Sequence, residues 1–111
     1  MGTIFQKIID REIPADFVYE DNEICAFRDI NPQAPTHILV IPKKPIVSIS
    51  SMEEGDAMLI GKLMHRAGCI AKEQNLDDYR LVINNGAGAG QTVFHLHVHI
   101  LGGRPFGWPP G

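Results

Sequence analysis

The segment His95–Leu101, with the sequence HLHVHIL, constrains the fold of this chain more than any other. Its apolar and histidine residues alternate with a period of two, which is the period of a β-strand. Leu96, Val98 and Ile100 therefore share one face and can pack on a hydrophobic core. Packing leaves the three histidines on the opposite face unexplained, so that face is the first candidate for a functional site.

Covalent catalysis is one use for three imidazoles on one face. Neutral imidazole is a good nucleophile near neutral pH and also a good leaving group. A phosphoryl group attacked by His97 would be flanked by His95 and His99. Each flanking ring can donate to a phosphate oxygen or pass a proton to the leaving group. The spacing suits this use without distortion.

A metal site is the other use. Successive residues on one face of a strand lie about 7 Å apart and the outer two about 13 Å, whereas zinc binds nitrogen at about 2.1 Å. Two neighbouring histidines can share a metal, but three from one straight strand cannot easily do so. A zinc site would therefore need further ligands, such as His37 or a cysteine. We expect no metal and no cofactor.

The remaining periodicities predict an α+β domain with a five-stranded, mostly hairpin-connected antiparallel sheet, one short helix and one long helix. A capping box at Thr3 and Gln6 begins the short helix, which is expected to end near Glu12. The long amphipathic helix is expected over residues 51–75. The strands are expected at residues 17–19, 24–27, 37–41, 80–84 and 93–101.

A glycine-rich loop, Gly86–Gln91, leads directly into the histidine strand. It joins two strands, so it is not the dinucleotide-binding fingerprint, which must open a helix. Its free N–H groups are expected to form an anion-binding nest beside His97. Gln91 and Thr92 add side-chain donors.

Composition limits the partners of this chain. Its 111 residues have the size of one domain, and its net charge of −3 leaves no basic excess for nucleic acid. No apolar run approaches the ~20 residues that span a bilayer. Cys25 and Cys69 form no C-x-x-C pair and are expected to be reduced thiols. We therefore expect a cytoplasmic protein that binds neither nucleic acid nor membrane.

The H-x-H-x-H-x-x pattern of the histidine strand resembles that of the histidine triad (HIT) superfamily. Further segments are similar to its Hint branch, the histidine triad nucleotide-binding proteins. These segments are residues 26–30, 32–37, 40–44, 90–91, 101–104 and 108–111. The resemblance covers essentially the whole chain and implies one HIT domain over residues 1–111 with the HIT-like fold.

The resemblance also implies a function. Hint proteins are homodimers that bind purine nucleoside monophosphates and hydrolyse nucleoside 5′-phosphoramidates through a nucleotidyl-histidine intermediate. By this similarity His97 is the nucleophile, His95 and His99 are the flanking histidines, and His37 is a fourth histidine that supports proton transfer. The nucleotide-binding set is completed by Phe5, Phe27 and Ile30 for the base, Asp29 for the ribose, and Asn84, Gly90, Gln91 and Thr92 for the phosphate.

Two further positions follow from the resemblance. Thr92 stands where relatives often have serine, which keeps the hydroxyl and adds a methyl group that could tighten the pocket. Trp108 matches a tail residue near the partner's site, on the leaving-group side. The leading hypothesis is therefore a purine nucleoside phosphoramidase. The alternatives are a nucleotide-sensing or scaffold protein with a slow site, a dinucleoside polyphosphate hydrolase and a zinc-binding regulator.

Overall fold

Five antiparallel strands form one sheet in a computed structural model of the protein, which describes residues 2–111. They are β1 (Phe17–Glu20), β2 (Ile24–Arg28), β3 (Thr36–Pro42), β4 (Tyr79–Val82) and β5 (Val98–Gly102). Their order in the sheet is β1-β2-β3-β5-β4, so β5 inserts between β3 and β4. The predicted α+β architecture, with a five-stranded antiparallel sheet and one long and one short helix, is confirmed.

Both helices are shorter than expected. Helix α1 (Ile4–Ile9) begins as predicted, with the Thr3 hydroxyl accepting from the Gln6 N–H at 3.2 Å, but it ends before Glu12. The chain leaves the helix through Arg11, whose φ of 64° is incompatible with a right-handed helix. Helix α2 (Ala57–Glu73) begins after two 3₁₀ turns that occupy part of the predicted helix.

The histidine strand is also shorter than expected. Strand β5 begins at Val98, because the Leu96 N–H donates to the Ile46 carbonyl at 2.7 Å and is thereby diverted from the sheet. Strand β4 similarly ends at Val82 and not at Asn84. The alternation of the side chains nevertheless continues through the irregular residues before β5.

Two apolar clusters cover the two faces of the sheet. Helix α2 packs on one face over a large cluster, formed by Ile24, Ala26, Ile38, Val40, Ile46, Leu63, Ala67, Ile70, Ala71, Leu96, Val98 and Ile100. Helix α1 packs on the other face over a smaller one, formed by Phe5, Ile8, Cys25, Phe27, Leu39 and Ile41. Among the described residues, no helix combines the length and apolar character needed to cross a bilayer.

Candidate active site

A cavity of about 590 Å³ opens on the face that carries α1. Strands β3 and β5 supply its floor and α1 supplies one wall. Nine of the residues predicted for the site line it: Phe5, Phe27, Asp29, Ile30, His37, Gly90, Thr92, His97 and His99. The sheet therefore brings together residues from the two ends of the chain.

The histidine run keeps its side chains on the cavity side. The rings of His97 and His99 have centroids 4.9 Å apart. The ring of Phe5, on α1, meets that of His97 edge-on, with centroids 5.0 Å apart. His95 is buried and lies behind this pair, at the edge of a separate cavity of about 370 Å³. The expected shared face is thus confirmed, with His95 set back from the main cavity.

The hydrogen bonds of His97 determine which of its nitrogens is free. Its Nδ1 lies 2.7 Å from the His95 carbonyl oxygen, which only accepts, so Nδ1 carries the proton. The lone pair of His97 is therefore on Nε2. His95 donates from Nε2 to the Pro42 carbonyl at 2.7 Å. That bond holds His95 in place, and the His95 carbonyl in turn orients the His97 ring.

A chain of hydrogen bonds gives His99 the opposite tautomer, with the proton on Nε2 and not on Nδ1. The Gln33 backbone N–H donates to His37 Nδ1 at 3.0 Å, so neutral His37 carries its proton on Nε2. His37 Nε2 lies 2.9 Å from His99 Nδ1 and donates to it. His99 therefore carries its own proton on Nε2. This Nε2 is buried without a hydrogen-bond partner among the described residues, so its N–H is ready to donate to a bound group.

Burial keeps these imidazoles neutral. Desolvation lowers the pKa values of His37, His95 and His97. It lowers the pKa of His99 furthest, to about 4, with added contributions from His97 and His37. The carboxylate of Asp29 partly opposes the shift in His37, His97 and His99. A neutral His97 with a free Nε2 lone pair is the form that nucleophilic attack requires.

Asp29 lines the cavity beside His37 and His99. Its Oδ1 accepts the Asn31 N–H at 2.8 Å, and its Oδ2 lies 3.5 Å from His37 Nε2. Lone pairs remain on both oxygens, and acceptors of this kind suit the two hydroxyls of a vicinal diol.

The apolar wall is built mainly by two phenylalanines. The buried rings of Phe5 and Phe27 pack edge-to-face, with centroids 5.4 Å apart. Ile30 lies at the rim and is 96% exposed. At this position its aliphatic side chain offers apolar contact to a ring bound in the cavity.

The residues predicted for the phosphate divide into two groups. Gly90 and Thr92 line the cavity, whereas Asn84 and Gln91 do not. The side chain of Gln91 is 2% exposed and holds the loop together, because its Oε1 accepts from Gly86 and its Nε2 donates to the carbonyls of Val47 and Val93. Asn84 Nδ2 points to the Gly90 carbonyl at 3.5 Å.

The prediction that the N–H groups of the glycine loop are free to form an anion-binding nest is wrong for most of the loop, because most of these groups donate hydrogen bonds within it. The engaged N–H groups, each bonded within the loop, are those of Gly86, Ala89, Gly90 and Gln91. A short 3₁₀ turn at Ala87–Ala89 and the buried Gln91 amide account for these bonds. The loop is therefore closed on itself. Of its residues Gly90 lines the cavity, next to Thr92, which follows the loop.

Trp108 lies outside the cavity. It is 83% exposed, and the Arg80 guanidinium lies 5.8 Å from its ring centroid. Arg80, on β4, also donates to the Gly107 carbonyl. The tail of a single chain thus packs along β4, away from its own histidines.

The sequence analysis missed Gln33, which acts here through its backbone N–H. Such a contact carries no side-chain signal. It becomes visible only when the loop between β2 and β3 is seen folded over His37.

One group of residues near the cavity has metal-ligating side chains: Asp29, His37 and His99 offer ligand atoms within 4.8 Å of one another. A histidine that binds zinc through Nε2 must carry its proton on Nδ1. In His37 the Gln33 N–H already points at Nδ1, so a proton there would face another donor. The group therefore does not fit a resident zinc ion.

Comparison with known proteins agrees with this geometry. The sequence profile of the HIT domain matches residues 10–106. This chain belongs to the HIT domain family. The HIT domain accounts for the whole sheet, α2 and the histidine run.

Relatives of this HIT protein extend the match over almost the full chain. It is 60% identical over 110 residues to an uncharacterized HIT-like protein of Synechocystis, covering 98% of this chain and 96% of the relative. It is 53% identical over 112 residues to a 14 kDa zinc-binding protein of Zea mays, covering 98% and 88% of the two chains. A crystal structure of a HIT family hydrolase from Legionella pneumophila superposes with a TM-score of 0.96 at 49% identity, covering 99% of this chain and 100% of that one.

Proposed function

We propose that this HIT protein belongs to the Hint branch and hydrolyses purine nucleoside 5′-phosphoramidates, such as adenosine 5′-monophosphoramidate, to the nucleoside monophosphate and an amine. The observation that carries the proposal is the pairing of two neighbouring rings in opposite tautomers. His97 presents an Nε2 lone pair and His99 presents an Nε2–H without a partner. A nucleophile beside a proton donor is what displacement at phosphorus with a basic leaving group requires.

In the first step, the lone pair of His97 Nε2 forms a bond to phosphorus and the P–N bond breaks. The electron pair of that bond stays on the amine nitrogen, which takes the Nε2 proton of His99. His99 acts as the imidazolium, because the anionic phosphate beside it raises the low pKa of its free form. In this imidazolium His99 Nδ1 also carries a proton, so the Nε2–H of His37 turns from it to Asp29 Oδ2, 3.5 Å away.

In the second step, water attacks the nucleotidyl-histidine. Its oxygen bonds to phosphorus while the bond from phosphorus to His97 Nε2 breaks, returning the electron pair to the ring. His99, neutral after the first step, takes the proton of the water. The products are the nucleoside monophosphate and a site ready for another substrate.

The cavity supports a mononucleotide as the bound group. Its volume of about 590 Å³ lies within the range of small-molecule pockets, roughly 300–1,000 Å³. Phe5 and Phe27 offer an apolar wall for a base, Asp29 offers acceptors for the ribose hydroxyls, and Thr92 lines the same cavity as His97 and His99.

The charges around the cavity favour an amine over a polyphosphate as leaving group. A polyphosphate would need free cations, but the nearby basic side chains are engaged. Arg28 donates to Gln74 and lies 3.6 Å from Asp16, Lys43 pairs with Glu20, and Lys44 pairs with Asp56. Arg104 donates to backbone carbonyls.

The test compares kcat/KM for an adenosine 5′-phosphoramidate with kcat/KM for diadenosine polyphosphates. We expect the phosphoramidate to be turned over far faster. Faster cleavage of the polyphosphates would overturn the leaving-group argument. Tight binding of AMP with no turnover of either class would support a nucleotide-sensing or scaffold protein instead.

We also propose that the protein is a homodimer, which rests on the Hint resemblance. Strand β4 lies at an edge of the sheet, where its backbone is open to pairing. Gly61 and Gly68 are spaced seven apart on the outer part of α2, where a Cβ would meet no atom closer than 3.8 Å. Light scattering should give about twice 12.3 kDa, and a monomer at micromolar concentration would contradict the proposal.

In such a dimer, Trp108 is proposed to lie on the leaving-group side of the partner's site. Its exposed ring in the single chain supports a contact outside its own fold. Trp108→Ala should then change the preference among leaving amines more than it changes the affinity for AMP. Equal effects on both would contradict this placement.

A further inference from the structure

Asp29 and His37 lie directly opposite each other, where β2 ends and β3 begins. The Asp29 N–H donates to the His37 carbonyl at 3.0 Å, which extends the pairing of the two strands by one residue beyond Arg28 and Ile38. Both side chains line the cavity, and Asp29 Oδ2 lies 3.5 Å from His37 Nε2. The register of the sheet therefore holds a carboxylate beside this imidazole.

The carboxylate of Asp29 is only partly engaged. Its Oδ1 accepts the Asn31 N–H at 2.8 Å, which fixes the orientation of the side chain. Among the described residues, its only ion-pair partner within 4 Å is His37. The negative charge therefore acts on the buried imidazoles, and it opposes the lowering of the pKa of His99 by burial.

His37 is unable to change its tautomer when His99 gains a proton. The Gln33 N–H donates to His37 Nδ1 at 3.0 Å, so a proton on that nitrogen would face another donor. The His37 proton therefore stays on Nε2, which lies 2.9 Å from His99 Nδ1. Once His99 is an imidazolium, two N–H groups face each other across this contact. The N–H of His37 then needs another acceptor, and Asp29 Oδ2 is within reach.

We propose that Asp29 is a positioning residue for the proton donor in addition to a ligand of the ribose: its carboxylate takes the Nε2–H of His37 and thereby allows His99 to carry its second proton. This inference rests on the phosphoramidase function proposed above. Asp29 itself gains and loses no proton. His99 Nε2 gives one proton to the departing amine in the first step and takes one from water in the second.

The charge of Asp29 contributes together with its lone pairs. Asp29, His37 and His99 have oxygen and nitrogen atoms within 4.8 Å of one another, a range over which a carboxylate favours an imidazolium. In the free protein this cation is disfavoured, because burial lowers the pKa of His99 to about 4. The phosphate of the substrate and the carboxylate of Asp29 together offset that desolvation.

The substitution Asp29→Asn separates the two roles of the side chain. The Asn31 N–H selects the oxygen of the introduced amide for the position of Oδ1, so the amide NH₂ replaces Oδ2 and directs a donor at His37. Ribose hydroxyls can accept from this NH₂, so part of the contact with the ribose is kept. The acceptor for the His37 N–H and the negative charge are both lost.

The experiment compares two leaving groups of similar size on AMP. Aniline departs from its phosphoramidate with the help of a proton, whereas p-nitrophenolate departs from its ester without one. The readout is kcat/KM for the anilide divided by kcat/KM for the p-nitrophenyl ester, a ratio in which losses of nucleotide binding cancel. We expect Asp29→Asn to lower this ratio about tenfold or more, because only the anilide needs the imidazolium.

Ile30→Ala is the matched control for loss of binding. Ile30 lines the same cavity at its rim and contacts neither histidine pair through a hydrogen bond, so its removal should lower both values of kcat/KM and keep their ratio within about twofold of the wild type. An unchanged ratio in Asp29→Asn, or a fall of the same size in Ile30→Ala, would overturn the proposal.

Substrates without ribose hydroxyls test whether the effect passes through the sugar. The same anilide and ester are made from 2′,3′-dideoxyadenosine 5′-monophosphate, which offers Asp29 no hydroxyl to bind. With these substrates Asp29→Asn should still lower the ratio about tenfold or more, because the contact with His37 is unchanged. A defect that vanished with the dideoxy substrates would leave Asp29 as a ribose ligand alone and refute the inference.

A further measurement does not depend on turnover. Imidazole ¹⁵N chemical shifts report whether both ring nitrogens of His99 are protonated in the complex with AMP. The titrating neighbours of this ring are His97, His37 and Asp29. The pH at which half of His99 is imidazolium should be lower by about one unit or more in Asp29→Asn. An equal value in both proteins would refute the role of Asp29. If the wild-type protein cleaved neither substrate but showed this shift, the proposed function would fail and the role of Asp29 would stand.

Discussion

The two faces of the central sheet are built from the same strands and yet serve different ends. One face is covered by the 17 residues of α2, the other by the 6 residues of α1. The long helix covers its face with an apolar cluster of buried side chains. The short helix leaves a cavity of about 590 Å³ on the opposite face.

Alternation along β3 and β5 assigns each residue to one of these environments. Ile38 and Ile100 point to α2, whereas His37 and His99 point to the cavity. The α2 face excludes polar groups, and the cavity face holds imidazoles whose pKa values are lowered by burial. Residues of the first face should therefore affect mainly stability, and residues of the second mainly chemistry.

The largest effect is expected from His97→Ala on the cavity face. Removing the nucleophile should lower turnover by about 10⁴-fold or more, as deletion of a nucleophile does in other enzymes. AMP binding, followed by calorimetry, should largely persist because the apolar wall and Asp29 remain. A variant that kept most of its turnover would exclude covalent catalysis by His97.

On the α2 face, Leu63→Ala should lower the free energy of unfolding by about 2–5 kcal/mol. Leu63 is fully buried, so its loss leaves a cavity in the larger cluster. The remaining folded protein should keep its turnover per molecule. Ile30→Ala, at the rim of the active-site cavity, is the exposed control and should change stability by less than about 0.5 kcal/mol. Comparable destabilisation by the two substitutions, measured in urea, would argue against the difference between the faces.

Acid should lower the free energy of unfolding through His99, on the cavity face of the sheet. The folded pKa of His99 is about 4, below the value of about 6.5 for an unfolded histidine. The unfolded state thus binds a proton first, so the free energy of unfolding should fall as the pH decreases from about 6.5 to about 4. Because part of the ring remains accessible, we expect about 1–2 kcal/mol from this residue.

The matching variant is His99→Gln, which cannot titrate in that range. Its urea unfolding measured between pH 7 and pH 4 should show a shallower loss of stability than the wild-type protein. An identical pH dependence in both proteins would assign the acid sensitivity to other groups, such as His95 or His97, whose pKa values are also lowered.

The smallest effect is expected from metal removal. The Gln33 N–H opposes the His37 tautomer that zinc binding needs, so dialysis against a strong chelator should leave the rate unchanged. Elemental analysis of the dialysed protein accompanies the rate measurement. A rate that disappeared with the chelator and returned with zinc would favour the zinc-binding alternative.

The sequence by itself determined the features that depend on the local spacing of apolar and polar residues. The alternation in the histidine run determined which side chains share a face. The helical period within residues 51–75 identified the long helix, which in the structure spans Ala57–Glu73. Boundaries were less well predicted, since the diversion of the Leu96 N–H to Ile46 shortens β5 and depends on a residue far away in sequence.

Only the tertiary structure decided which nitrogen of each histidine carries a proton. A tautomer depends on the partner of the other ring nitrogen. Those partners are backbone groups of His95, Pro42 and Gln33, and for His99 the ring of His37, whose own tautomer Gln33 sets. Backbone groups are the same in every residue, so the sequence cannot show which of them will face a given ring. The sequence thus determined that three histidines meet on one surface, and the fold decided that His97 presents a lone pair while His99 presents a proton.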